Sequence, residues 1–275
     1  MFASFFNTII EALTFDFFQK SLFVGIVLAV CYAIWGNLVV LRKEALVGHS
    51  FSHIAFLGVA IAYLLNFNLE LGAIVLTMFF AAVYLLFLKK NKTSSDSMLV
   101  ILAQVAIAAA VILLSLNVGY KPDLMQFLFG SILAISNQDL LITLLTLLLT
   151  LILYFWKGKF LLQATVNSVL AKANNVNVFV YELVYLLVLA LVVGLGIKMI
   201  GVVLLEALLV LPANIAKNIV RSFSGLVVIS IVIAIVAMVI GLFASYALNI
   251  PSGATVVLIL AVVMLLTTVF KKRAR

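Results

Sequence analysis

The sequence predicts an all-α, polytopic membrane protein with eight or nine transmembrane helices. Hydrophobic residues make up 67% of the 275 residues and charged residues only 9%, whereas a soluble domain carries about a quarter charged residues. Long apolar runs such as Leu140–Trp156 and Leu226–Ala247 show none of the alternation typical of membrane β-strands. Because every backbone polar group in hydrocarbon needs an internal partner, these runs are predicted to be helices.

A helix needs about 20 apolar residues to cross the hydrocarbon core. The candidate spans, in chain order, are 21–41, 51–65, 70–88, 98–117, 139–156, 178–197, 199–213, 224–247 and 254–270. The second and seventh are short, so they are either full crossings or broken, half-buried helices. Residues 1–16 are predicted to form an amphipathic segment on the membrane surface, with an additional weak span as the alternative. Residues 17–275 are predicted to form a single transmembrane domain.

The basic residues predict the orientation of the chain. With a cytoplasmic C-terminus and nine spans, fourteen of the seventeen lysines and arginines fall on the inside, and only Lys20, Lys121 and Lys198 fall outside. This asymmetry predicts an external N-terminus. The net charge of +8 is scattered over short connections, without the stripe or the interleaved aromatic residues of a nucleic-acid surface.

His49 and His53 are the two histidines of the chain. Their i,i+4 spacing places both on one face of a helix, about one turn apart. Neutral imidazole is a common ligand of transition-metal ions, so the pair is a candidate metal site, although two ligands do not complete a coordination shell. The alternative is that both rings lie at the end of a span and bond to backbone or lipid headgroups.

Glu206 lies in one of the most apolar stretches, between Val202 and Leu211. A carboxylate there must be paired, protonated, bound to a cation or exposed to a watery cavity. Sequence alone leaves two interpretations open, a structural pair, for example with Lys198, and a ligand on a transport path.

The segment from Pro212 to Arg221 follows this stretch. Proline is expected to end or kink the preceding helix, and the residues after it then form a short cytoplasmic surface helix that docks another protein, or an ordinary interfacial turn. The candidate docking residues are Pro212, Ala213, Ile215, Ala216, Lys217, Ile219 and Arg221.

Several signatures of other functions are missing from the sequence. It contains no Gly-x-x-x-x-Gly-Lys-Ser/Thr loop, so no P-loop for ATP is predicted. It also shows no nucleophile and base arrangement of a hydrolase and no cysteine cluster. We therefore expect neither an enzyme nor a bound cofactor.

Four stretches together resemble the membrane permease subunits of ABC importers for zinc, manganese and iron. They are Leu38–Arg42 leading through Gly48 and His53 to Ala60, Asp123–Ala134 followed by Asp139, Gly201–Lys217, and Pro251–Ala254. Their order and spacing match from about residue 17 to the end of the chain. In much of this family an aspartate stands four positions before a histidine that corresponds to His53, and here His49 occupies the aspartate position.

The resemblance implies a transport subunit that passes a divalent ion, zinc or manganese, into the cytoplasm through a prokaryotic inner membrane. It implies a homodimer, separate cytoplasmic ATPase chains that dock on the Pro212–Arg221 segment, and an extracellular or periplasmic metal-binding protein. His49, His53 and Glu206 are the predicted metal ligands. The competing hypotheses are an ion-coupled secondary transporter or channel and a membrane metalloenzyme.

Overall fold

The computed structural model describes residues 11–90, 95–116, 130, 135–166, 168–174 and 176–273. Within these ranges the chain is helical and contains no strand. The helices are α1 (Asp16–Arg42), α2 (Leu46–Leu64), α3 (Leu69–Lys90), α4 (Ser95–Ser115), α5 (Asn137–Val166), α6 (Ser168–Ala173), α7 (Val178–Ile219), α8 (Phe223–Leu248) and α9 (Ser252–Arg273). Eight of them, all but the six-residue α6, are long and apolar enough to cross a membrane. The predicted all-α membrane fold is therefore confirmed.

Two of the predictions lie largely outside these ranges. The first ten residues of the predicted surface segment are not among the described residues, and of the resemblance motif at 123–134 only Gly130 is described. The orientation of the two termini stays a prediction.

Helix α7 covers the predicted spans 178–197 and 199–213. It consists of two helical stretches that meet at a kink, and the second stretch continues through Pro212 to Ile219. The helix therefore does not end at Pro212, and the alternative expectation of a kink at Pro212 stays a prediction. The non-helical backbone lies at Gly201, where φ is 77° and ψ is 163°, because glycine adopts this conformation without the steric penalty of a side chain. Gly130, also at φ 77°, lies so close that a Cβ on it would be 2.4 Å from the carbonyl carbon of Ile200.

The chain forms two compact units, here called unit A and unit B. Unit A comprises Met1–Asn37, Leu128–Leu148 and Met199–Arg275. Unit B comprises Leu38–Phe127 and Leu149–Lys198. The predicted single domain over residues 17–275 stays a prediction.

In unit B, α2 is enclosed by neighbouring helices. Fourteen of its nineteen residues are buried, whereas α3 and α4 expose large apolar side chains such as Phe79 and Ile101. The contact between α2 and α3 is close because it is formed by glycines: a Cβ on Gly58 would lie 2.3 Å from the carbonyl oxygen of Gly72. Such a side-chain-free contact lets the two backbones approach directly.

Unit A has a polar link within its apolar interior. Asn37 is fully buried and donates through Nδ2 to the carbonyl oxygen of Ala33 at 2.7 Å, while Ser230 Oγ lies 3.1 Å from Asn37 Oδ1. This bond ties α1 to α8. At the other end of the same two helices, the ring of Phe18 lies 5.1 Å from that of Phe243.

Candidate metal-binding helix

The start of α2 is fixed by a cluster of charged groups in unit B. Arg42 Nε donates to Glu44 at 2.9 Å, and its guanidinium also reaches Glu182 of α7 at 3.3 Å. The same guanidinium lies 5.1 Å from the centre of the Tyr185 ring. Lys43, at φ 60°, makes the turn between the two helices. One cation therefore connects α1, the beginning of α2 and α7.

Sequence reasoning did not single out this cluster. The signal available was the position of Arg42 and Glu44 on either side of a helix boundary in a chain with few charges. Arg42 and Glu44 are about one-tenth exposed. Buried ions of this kind need opposite charges and several hydrogen bonds, which this arrangement supplies. Its structural consequence is a fixed beginning for the helix that carries both histidines.

His49 and His53 lie together on α2, as their spacing predicts. The centres of the two rings are 4.4 Å apart, and the ring planes meet at 89°. His53 is 9% exposed, and His49 is half-buried. The helix therefore holds two adjacent imidazole rings in unit B. Each ring can offer one nitrogen to a metal ion.

The serines next to the histidines are engaged elsewhere. Ser52 Oγ donates to the carbonyl oxygen of Gly48 at 2.7 Å. Ser50 Oγ lies within 2.7 Å of the carbonyl oxygen of Leu99 on α4 and within 3.0 Å of that of Leu46. Because these hydroxyls satisfy backbone acceptors, the imidazoles are the groups of this segment whose chemistry suits a transition-metal ion.

Glu206 lies on α7 in unit A. Its side chain is half-buried, and its neighbours Leu205, Leu208 and Leu209 are fully buried. Lys198, which sequence analysis offered as a structural partner, forms an ion pair with Glu70 in unit B. The membership of Glu206 in the metal site stays a prediction.

The predicted docking segment is the last two turns of α7 and the residues after it. Pro212, Ala213, Ile215 and Ala216 are buried, whereas Lys217, Ile219 and Arg221 are exposed. Ile215 and Ile219 are both predicted docking residues, yet only Ile219, at 56%, is exposed. Of the seven candidates, Lys217, Ile219 and Arg221 are the ones that a docking partner would meet. The docking role itself stays a prediction.

Relatives of the chain have names connected with metal transport. The zinc uptake membrane protein ZnuB of Haemophilus influenzae is 31% identical over 94% of this chain and 99% of that protein. The manganese import permease protein ScaB of Streptococcus parasanguinis is 32% identical over 92% of this chain and 90% of that protein.

Two solved structures have the same fold as this chain. A chain from the structure of PsaBC of Streptococcus pneumoniae in complex with Fab superposes with a TM-score of 0.84 at 30% identity, covering 97% of this chain and 95% of that chain. An inward-facing putative metal-chelate type ABC transporter shares the fold, with a TM-score of 0.75 at 17% identity. The model of the ABC 3 transport family matches residues 14–271. This all-helical, multi-pass membrane protein therefore belongs to the ABC 3 transport family.

Proposed function

We propose that this chain is the membrane-spanning permease subunit of an ABC importer, which moves a divalent transition-metal ion, zinc or manganese, into the cytoplasm. The observation that carries the proposal is the histidine pair on α2, with its ring centres 4.4 Å apart inside an enclosed helix. The relatives include a membrane protein of a zinc uptake system and a permease of a manganese import system, which supports the class of cargo.

In this proposal His49 and His53 each donate one nitrogen to the passing ion, and Glu206 supplies an anionic oxygen. Such a set is smaller than a complete structural shell, which for zinc normally has four protein ligands. Incomplete coordination suits transport, because a site on a conduction path must release what it binds. Two imidazoles move the preference toward zinc and the later metals, whereas an oxygen at position 49 would suit manganese.

The remaining parts of the importer are other chains. The family's permeases lack an ATPase site of their own, and this sequence has no P-loop, so hydrolysis would occur on separate cytoplasmic ATPases. They would dock on the exposed residues Lys217, Ile219 and Arg221, and two permease chains would enclose the path. An extracellular or periplasmic metal-binding protein would deliver the ion.

The test is metal uptake by the His53→Asn variant. Loss of a direct ligand is expected to lower uptake of radioactive zinc or manganese at limiting concentration by at least the roughly 10–100-fold seen when groups that support metal ligands are removed. The matched control is Ser52→Ala, a buried position on the same helix, whose hydroxyl donates to the carbonyl oxygen of Gly48 one turn earlier. Its uptake should stay near wild type.

Protein level in the membrane and thermal stability of both variants are measured in parallel. Wild-type uptake by a stable His53→Asn protein would remove this histidine from the path. Uptake that persists after the ATPase partner is deleted would instead support an ion-coupled transporter or a channel.

A further inference from the structure

A groove in unit B lies between the end of α5 and the beginning of α7. Its volume is about 520 Å³. Leu153, Val180 and Val184 form apolar walls, and Lys157, Asn174 and Asn177 also line it. Asn174 and Asn177 belong to the connection that follows α6, whereas Leu153 and Val184 lie within α5 and α7.

Lys157 stands where α5 leaves its apolar run. The helix has 30 residues, and at about 1.5 Å per residue it is longer than the roughly 30 Å hydrocarbon core. The apolar run ends at Trp156, so the next residue lies at the membrane boundary. Lys157 Nζ lies 5.3 Å from the centre of the Trp156 ring and 5.9 Å from that of Phe160.

Aromatic side chains form the rim of the groove at this level. Phe160 of α5 stacks on Tyr181 of α7, with ring centres 5.6 Å apart and planes 24° from parallel. Trp156 is 74% exposed on the outside of the helix. Tryptophan and tyrosine concentrate at the headgroup level of membranes, so this rim agrees with the boundary assigned from the length of α5.

The charge of the groove is positive. Its lining residues include one lysine and no acidic residue. The nearest acidic residue along α7, Glu182, bonds to Arg42. The ligand that fits is one with a long apolar part and an anionic head at the membrane boundary. An anionic phospholipid has this combination, and a soluble phosphate lacks the apolar part.

We propose that this groove binds an anionic phospholipid, with its phosphate on the Lys157 ammonium and an acyl chain along Leu153, Val180 and Val184. The amide side chains of Asn174 and Asn177 supply hydrogen bonds to the headgroup. The bound lipid would hold α5 against α7. The site is independent of the histidine pair.

The experiment measures lipid binding to the purified full-length chain by native mass spectrometry. Phosphatidylglycerol and phosphatidylcholine of equal chain length are supplied in equal amounts. Wild type should prefer phosphatidylglycerol about fivefold, which corresponds to one basic residue near an anionic membrane surface. Lys157→Gln should lose this preference. The matched control is Lys159→Gln, an identical change two residues away at an exposed lysine outside the groove, which should keep it.

Two further experiments test the apolar wall of the groove and the phosphate contact separately. Val184→Trp, which fills the deeper part of the groove, should lower retention of phosphatidylglycerol while the helical circular dichroism stays at the wild-type level. Inorganic phosphate in millimolar excess should not displace the lipid. The proposal is overturned if wild type shows no preference, if Lys159→Gln loses as much as Lys157→Gln, or if phosphate alone displaces the lipid.

Discussion

The glycine contact between α2 and α3 leads to a quantitative prediction for Gly58→Ala. The added Cβ would lie 2.3 Å from the carbonyl oxygen of Gly72, 2.8 Å from its carbonyl carbon and 2.9 Å from Ala73 Cα. All three are backbone atoms, so no side-chain rotation relieves the overlap. A carbon and a carbonyl oxygen approach to about 3.3 Å, and the helices would have to separate by about 1 Å.

The expected cost follows from two opposing effects. Inserting a methyl group into a well-packed core costs about 1–3 kcal/mol, and contact with backbone on the opposite helix places this site near the upper value. Alanine is more favourable than glycine within a helix by about 1 kcal/mol. Gly58→Ala should therefore lower the free energy of unfolding by about 2 kcal/mol.

Gly158→Ala, on α5, is the matched control. The nearest atom to its added Cβ is Tyr154 Cδ2 at 3.7 Å, an ordinary contact, so only the helix preference remains and this variant should be unchanged or slightly stabilised. Both variants are titrated from detergent micelles with sodium dodecyl sulfate, and unfolding is followed by fluorescence and circular dichroism. Equal stability of Gly58→Ala and wild type would refute the assigned contact between α2 and α3.

Two further predictions concern polar contacts. Ser230→Ala removes the hydroxyl beside the buried Asn37. In the same titration it should lower the free energy of unfolding by about 0.5–1.5 kcal/mol. The control Ser115→Ala loses only a local bond at an exposed position and should have a smaller effect. An equal loss in both variants would contradict the role of the link from α1 to α8. Glu70→Gln disrupts the partly exposed ion pair with Lys198 and should cost less than about 1 kcal/mol. The difference from wild type should shrink at about 1 M salt, where screening acts within about 3 Å, and a salt-independent difference would argue against an electrostatic cause.

The apolar runs of the sequence predict most of the fold, because a helix in lipid is the structure that satisfies every backbone group within its own segment. The predicted helix bounds are wrong where polar residues lie inside a membrane span. The predicted second span begins at residue 51, whereas α2 begins at Leu46 and therefore contains His49 and Ser50. A count of apolar residues excludes these positions, although neighbouring helices enclose them in the structure.

The kink in α7 shows a second limit of the sequence. Gly194, Gly196 and Gly201 all offer backbone freedom, and the sequence does not tell that Gly201 is the one that adopts φ 77° beside Gly130. Pro212 has the stronger local signal for a break, yet the helix continues through it. In membrane proteins, neighbouring helices, side chains and water satisfy the backbone groups that a proline leaves without a partner, and such contacts are remote in sequence.

The sequence predicts the part of the candidate site that depends on residues close together in the chain. The spacing of His49 and His53 determines that their rings meet on one face, and the structure shows them together. Contacts between different helices of unit B have no such local signal. The Arg42 cluster, which joins residues 140 positions apart, could not be derived from spacing, because the approach of α1 and α7 depends on packing throughout unit B.

In the proposed metal site, a histidine at position 49, where the resembled family often has an aspartate, changes the energetics of the metal-free state. An importer passes through a metal-free state in every cycle, and in that state a buried, unpaired carboxylate costs several kcal/mol or takes up a proton. Histidine side chains place no negative charge in α2. They also attract a dication less strongly, so the proposed path needs negative charge from another element. Glu206, half-buried on α7, is the carboxylate that we propose for this role.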